Sequence, residues 1–333
     1  MVFLQLFLML IVILIAAEVF TNALEHLGEK LGISEGVTGS IFAAVGTALP
    51  ETSVPLLALF AGTQNAQINE EIGVGAILGA PLMLATLSIF LMALSVWKGR
   101  GTHGSLRPER TGLTRDLNFF IAAFTFAAIA LYIPHELSLV RYGIGIGMVM
   151  IYVAYVVVTI RASKGLVEEG HATEADGAMF LCKIGLPNNM LVISVQLFLG
   201  LALLLLGAKG FINGIEEAAN IIGISALMLS LLIIPIATEL PEKVNSILWI
   251  RKGKDTLAFG NITGAMVFQG TLLPAIGIML TSWQPRPEVI SGILITLVAA
   301  IWLRFLVGKG GIKVWHIAVN GALYVTYLVV ALS

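Results

Sequence analysis

Ten stretches of this chain are apolar for long enough to cross a bilayer, which takes about 17–25 residues of helix. They fall near residues 2–23, 36–61, 72–97, 117–134, 139–160, 188–209, 223–250, 257–281, 287–305 and 312–332. A lipid interior offers no partner to an exposed amide, so each run must close its own hydrogen bonds as a helix. Composition agrees: of 333 residues, 58% are hydrophobic and 12% charged, about half the charged share of a soluble domain. The expectation is an all-α polytopic membrane protein. The first run lacks the positive start and the small-residue cleavage site of a signal peptide, since Met1-Val2-Phe3-Leu4-Gln5 carries no basic side chain. It is expected to remain as a helix.

Charge placement tests the count of ten. With ten spans, both termini and the even-numbered connections share one side, which receives Arg141, Lys209 and Arg286. The odd-numbered connections receive Lys30, Lys98, Arg100, Arg107, Arg110, Arg115, Arg161, Lys164, Lys183, Arg251, Lys252, Lys254, Arg304, Lys309 and Lys313. That is 3 against 15, with Lys243, the last of the 19, inside an apolar run. Basic residues collect on the cytoplasmic side, so both termini are expected outside, in a plasma (inner) membrane. The polar stretch around Glu168, Glu169, His171, Glu174 and Asp176 is then a cytoplasmic linker. The boundaries expected are a first repeat over 1–160, the linker over 161–187 and a second repeat over 188–333.

Two apolar runs carry nearly the same hexapeptide: Gly46-Thr47-Ala48-Leu49-Pro50-Glu51 and Ala237-Thr238-Glu239-Leu240-Pro241-Glu242. Pairing Pro50 with Pro241 sets an offset of 191 (241 − 50), at which Gly32-Ile33-Ser34 meets Gly223-Ile224-Ser225. Phe20, Asn22 and Glu25 meet Phe211, Asn213 and Glu216 at that same offset. Further on the offset becomes 185 (260 − 75), where Gly75, Ile77, Gly79 and Ala80 meet Gly260, Ile262, Gly264 and Ala265. Chance similarity between apolar helices would not preserve polar and glycine positions over three consecutive spans. Five spans per copy is odd, so the copies must cross the bilayer in opposite directions, as in many secondary transporters.

An intramembrane glutamate marks an ion or proton pathway by default. Each proline removes a backbone donor and leaves a carbonyl in the preceding turn without its helical partner. Thr47 and Thr238 add hydroxyl oxygens, and Glu51 and Glu242 add carboxylates. An all-oxygen, doubly anionic set suits a hard cation such as Ca²⁺, which takes about six to eight oxygen ligands. Glycines at 75, 79, 260 and 264 would let the following helices press against the broken ones. Gln269 can offer an amide oxygen to the site or hold two helices together. Glu239 and Lys243 stand four residues apart in the order that pairs well on a helix. Glu18 reads as a side chain snorkelling toward the interface, and Pro55 and Pro81 as kinks.

These motifs resemble the alpha-repeats of sodium/calcium exchangers, G-T-S-L-P-E and G-N-x-x-G-S-N, in the calcium/cation antiporter superfamily. Five of six positions of the first motif match in repeat one and four of six in repeat two. The resemblance implies that Glu51 and Glu242 ligate calcium and that Thr47 and Thr238 contribute to calcium and sodium sites. The chain departs from the pattern at Ala48 and Glu239, at Ala80 and Ala265, at Leu84 and Gln269, and at Ala76. Several sodium-coordinating oxygens are therefore absent. Glu239 and Lys243 read either as a buried structural pair or as a charge-compensating pair in which Lys243 offsets Glu239 and stands in for one exchanged monovalent cation.

The expected function is a secondary active antiporter that exports Ca²⁺ against Na⁺ or H⁺ by alternating access. The alternatives are an antiporter of another cation with altered coupling, or a passive cation channel, which the internal pseudo-twofold repeat disfavours. An enzyme is not expected: no H-E-x-x-H and no catalytic serine or aspartate pairing occurs. One cysteine, Cys182, and five scattered histidines give no disulfide and no zinc set. No cofactor, nucleic acid or obligate protein partner is expected beyond the transported ions and the lipid bilayer.

Overall fold

The computed structural model describes residues 2–30, 49–167, 177–308 and 311–332. Helices follow the apolar runs: α1 (Val2–Lys30), α2 (Leu49–Ala61), α3 (Ala66–Met83), α4 (Ile89–Arg100), α5 (Arg110–Ala130), α6 (Ser138–Val167) and the short α7 (Phe180–Lys183). The second half gives α8 (Met190–Ile222), α9 (Ala226–Thr238), α10 (Leu240–Arg251), α11 (Asp255–Leu280), α12 (Pro287–Gly308) and α13 (Ala318–Leu332). A π-helical turn, Leu84–Ser88, joins α3 to α4 three residues after Pro81, making one long span, Ala66–Arg100. Among the described residues eight helical spans are long and apolar enough to cross a membrane, and two shorter apolar helices, Glu51–Ala61 and Ala226–Pro235, bear the repeated hexapeptides or lead into them. Together these are the ten spans expected. The residues read as the polar centre of the linker, 168–176, lie outside the described residues.

The chain forms two compact units, each drawing on both sequence halves: residues 1–69 with 160–223, and residues 70–159 with 224–333. In the first, α1 lies along α8. A side chain added at Gly200 would meet the Phe20 backbone, at Gly207 Ile13, at Gly210 Met9 and at Gly214 Leu6. Numbers rise along one helix as they fall along the other, so the pair is antiparallel. These are the first helices of the two sequence repeats, and their opposed direction is what an inverted duplication requires. Small residues at near-heptad spacing allow the close approach. Asn22 of α1 adds a polar tie, accepting from the Phe180 amide (3.1 Å) and from Gln196 Nε2 (2.9 Å).

The second unit is built around α11, whose buried face includes Phe259, Ile262, Met266 and Ile278. Its two ends sort the connections by parity. At one end the fully buried Arg141 guanidinium donates to Ile278 O (2.7 Å), Thr281 O (2.6 Å) and Ser282 O (2.7 Å), capping the C-terminus of α11. There Glu70 accepts from the Ser282 amide and Glu71 pairs with Arg286 at 2.7 Å. At the other end Arg100 grips Asp255 with two 2.8 Å hydrogen bonds, and the Arg107 amide donates to the same carboxylate at 2.7 Å. A two-residue ribbon pairs Ser105 with Lys313 and Leu106 with Ile312, while Arg110 donates to Gly308 O. Even connections thus meet even, and odd meet odd. Two of the three basic residues on the side poor in Lys and Arg, Arg141 and Arg286, hold the fold together.

Candidate functional site

The second hexapeptide sits where α9 gives way to α10. Ser225 caps α9, accepting from the Met228 amide. Pro235, inside α9, has no N–H for the Leu231 carbonyl. Gly79 of α3 lies against that carbonyl, so closely that a Cβ there would collide with it, and Gly75 lies equally tightly against Ser230 and Leu227 O. The helix–helix role expected of these two glycines is therefore seen. For Gly260 and Gly264 no described neighbour comes within 3.4 Å of an added Cβ.

The interruption is one residue wide. Glu239, at φ −90° and ψ 12°, ends α9 and precedes α10. Its amide still donates to Pro235 O at 3.3 Å, and its carbonyl accepts from the Lys243 amide at 3.1 Å. Pro241 falls at the second position of α10, where a missing N–H costs nothing because first-turn amides have no intrahelical acceptor. Ala237 O is then left without its helical donor. Leu-Pro-Glu opens the described part of α2 as well, with Glu51 in the first turn.

Around the break the polar side chains are buried. Glu239 is 0% and Thr238 1% exposed. Thr238 Oγ1 donates back to Ile234 O at 3.0 Å, so its lone pairs are available to a cation. Lys243 Nζ lies 3.7 Å from Glu239 Oε2 and donates to Pro235 O at 2.8 Å. The ammonium thus reaches back from α10 to the carbonyl end of α9, where a cation is favoured. The pair expected from the four-residue spacing forms despite the proline between its members.

Of the other site residues, Glu51 is buried in the first compact unit at 2% exposure. Gln269 is buried on α11, and its Oε1 accepts no hydrogen bond among the described residues. A buried, unsatisfied amide oxygen is costly unless something fills it. Leu84, its counterpart at offset 185, falls in the π-helical turn. Thr47 lies outside the described residues, and Glu242 is placed by its backbone alone, in the first turn of α10. Among the described residues no three His, Cys, Asp or Glu side chains converge as a metal cluster. A cleft of about 880 Å³ lies in the first unit between the 62–67 connection and Lys209, Asn213 and Glu216 of α8. It contains no hexapeptide residue.

Two buried carboxylates escape the sequence reading: Asp116, and the Asp255 that Arg100 holds at the start of α11. Asp116 is 4% exposed, on a span expected to begin at 117 that in fact begins at Arg110. Three charged residues in its first two turns, Arg110, Arg115 and Asp116, hid that start.

A family model described as Sodium/calcium exchanger protein matches residues 1–161 and 192–333. The putative antiporter CaxA of Alkalimonas amylolytica is 42% identical over 85 residues, 26% of this chain and 26% of CaxA. The inner membrane protein YrbG of Escherichia coli (strain K12) is 24% identical over 254 residues, 75% of this chain and 71% of YrbG. Among solved structures, the H⁺/Ca²⁺ exchanger CAX superposes with a TM-score of 0.70 at 18% identity, covering 98% of this chain and 82% of that one. The sodium-calcium exchanger NCX_Mj superposes with a TM-score of 0.58 at 19% identity, covering 99% of both chains. At these identities the two structures bear on the fold alone.

Proposed function

The chain belongs to the sodium/calcium exchanger family, and from that premise we propose that it is a secondary active antiporter exporting Ca²⁺ against Na⁺ or H⁺. Family membership supports cation antiport as such. The ion and its coupling are read from the residues. One observation carries the reading: a buried break in an apolar helix that gathers Thr238, Glu239 and the carbonyl end of α9, with Glu242 one turn on. Glu51, Glu242, Thr47 and Thr238 supply the divalent centre from repeats spanning 1–160 and 188–333, joined by the 161–187 linker. Gln269 adds its amide oxygen and Glu239 a third carboxylate. No resident cofactor enters this scheme, only cargo ions, lipid and the chain itself.

Lys243 sets the coupling. Its ammonium occupies a carbonyl oxygen and faces a carboxylate, the two kinds of ligand a monovalent cation would use. With Ala80, Ala265, Ala48 and Leu84 replacing oxygen-bearing side chains, fewer sodium ions can bind, or protons on Glu51 and Glu242 take their place. The parity of the connections and the excess of basic residues on the odd side support termini outside and a plasma-membrane location. Calcium titration of the purified protein tests the centre. Saturable binding that is weakened at least tenfold by Glu242→Gln and by Glu51→Gln supports it; equal binding in all three proteins removes it.

A further inference from the structure

Asp116 of α5 lies in the second unit among side chains from three helices. Its Oδ2 stands 2.8 Å from Thr263 Oγ1 of α11, its Oδ1 stands 3.2 Å from the Tyr155 hydroxyl of α6, and Arg115 Nε lies 3.5 Å from Oδ1. Thr263 is 1% exposed and its hydroxyl also lies 3.0 Å from Phe259 O. A hydroxyl carries one proton and two lone pairs. It cannot donate to Phe259 O and to Asp116 at once.

Elsewhere in the helices the carbonyl wins. Thr125, Thr238, Thr271, Thr296 and Thr326 each donate to the carbonyl four residues earlier. If Thr263 does the same, its lone pair faces Asp116 Oδ2 at 2.8 Å, and only a protonated carboxyl completes that contact. If the hydroxyl turns to Asp116, the carboxylate is ionised, with Tyr155 as second donor and Arg115 as counter-charge. Arg115 Nε, at 3.5 Å, faces Asp116 Oδ1 as an ion-pair partner.

We propose that Asp116, Thr263 and Tyr155 form a proton-binding site, separate from the broken-helix centre, that links the protonation of α5 to the seating of α11. On uptake one proton binds Asp116 Oδ2, Oδ2–H donates to Thr263 Oγ1, and the Thr263 hydroxyl rotates onto Phe259 O. Release reverses these steps. Asp116 lies six residues into its helix, about 9 Å from its start, and the Arg115 side chain, 20% exposed, marks the way to solvent. Among the described residues the titratable groups acting on Asp116 are Arg115 and Tyr155. On α12, which also packs against α5, Arg304 is turned to Asn118 at 2.7 Å. The consequence reaches α10, because Asn261, two residues before Thr263, donates to Ser246 of that helix at 2.9 Å.

Infrared difference spectroscopy of the protein in lipid, titrated between about pH 5 and pH 9, tests this whichever ion is carried. Wild type is expected to show a protonated-carboxyl band that vanishes in Asp116→Asn. Thr263→Val keeps the carboxyl but removes its hydroxyl partner, so the band should persist at a shifted frequency. Identical pH-difference spectra in wild type and Asp116→Asn overturn the site, and so does a band unmoved by Thr263→Val. The role, which rests on the transport reading, is tested separately by flux. Asp116→Asn should flatten the pH dependence of Ca²⁺ transport, and an unchanged profile overturns the link to α11.

Discussion

The Lys243 ammonium lies 2.8 Å from the Pro235 carbonyl oxygen, eight residues earlier and across the helix interruption. Intrahelical hydrogen bonds alone would not bring a lysine there. The geometry follows from Glu239, whose amide donates to Pro235 O and whose carbonyl accepts from the Lys243 amide, and from the Glu239 carboxylate 3.7 Å from the same nitrogen. Two opposite charges buried at one point are neutral as a pair and expensive singly.

Lys243→Met therefore separates two roles. If the ammonium substitutes for a cation, the variant moves a different charge per turnover, read from the dependence of flux on imposed membrane potential. Breaking a buried pair from one side costs about 3–5 kcal/mol, so thermal stability should fall and recover in Glu239→Gln/Lys243→Met. Recovery of stability with unchanged charge movement would assign the pair to structure alone.

Gly79→Ala drives a methyl into Leu231 O, a backbone atom that cannot swing aside. Overpacking of this kind costs about 1–3 kcal/mol. A lowered melting temperature with weakened ion binding is expected, whereas Gly260→Ala, with no described neighbour within 4 Å, should be milder. Equal effects at both positions would contradict the packing argument.

Glu109 caps α5, its carboxylate accepting from the Gly112 amide and the Thr111 amide. Those two bonds, the Gly112 one foremost, hold its carboxyl below the usual range. A carboxyl depressed on folding stabilises above its unfolded value, and that contribution is lost as pH falls through the folded one. Glu109→Gln should accordingly melt lower than wild type at neutral pH. The difference should close in acid, and a gap that widens there would contradict the cap.

Much of this was legible in the sequence. Ten apolar runs, the doubled Leu-Pro-Glu and the Gly75/Gly79 spacing placed the helices, the break and the tight helix contact. The fourth span was read seven residues late because Arg110, Arg115 and Asp116 weaken its hydropathy, at 1.3 the lowest of the eight long spans. The use of Arg141 as a cap on α11, and the meeting of Asp116 with Thr263 across 147 positions, depend on tertiary packing that no local pattern encodes. The pairing of Lys243 with Glu239 was legible as spacing; the reach of Lys243 to Pro235 was not, because it depends on the backbone hydrogen bonds kept across residue 239.

Radiolabelled Ca²⁺ uptake into proteoliposomes under an outward Na⁺ gradient and, separately, an outward H⁺ gradient decides whether the two glutamates serve a coupled antiporter. Uptake driven by one of the two gradients and abolished in both Glu51→Gln and Glu242→Gln is expected. Uptake that ignores both gradients, or that survives in either variant, would contradict it.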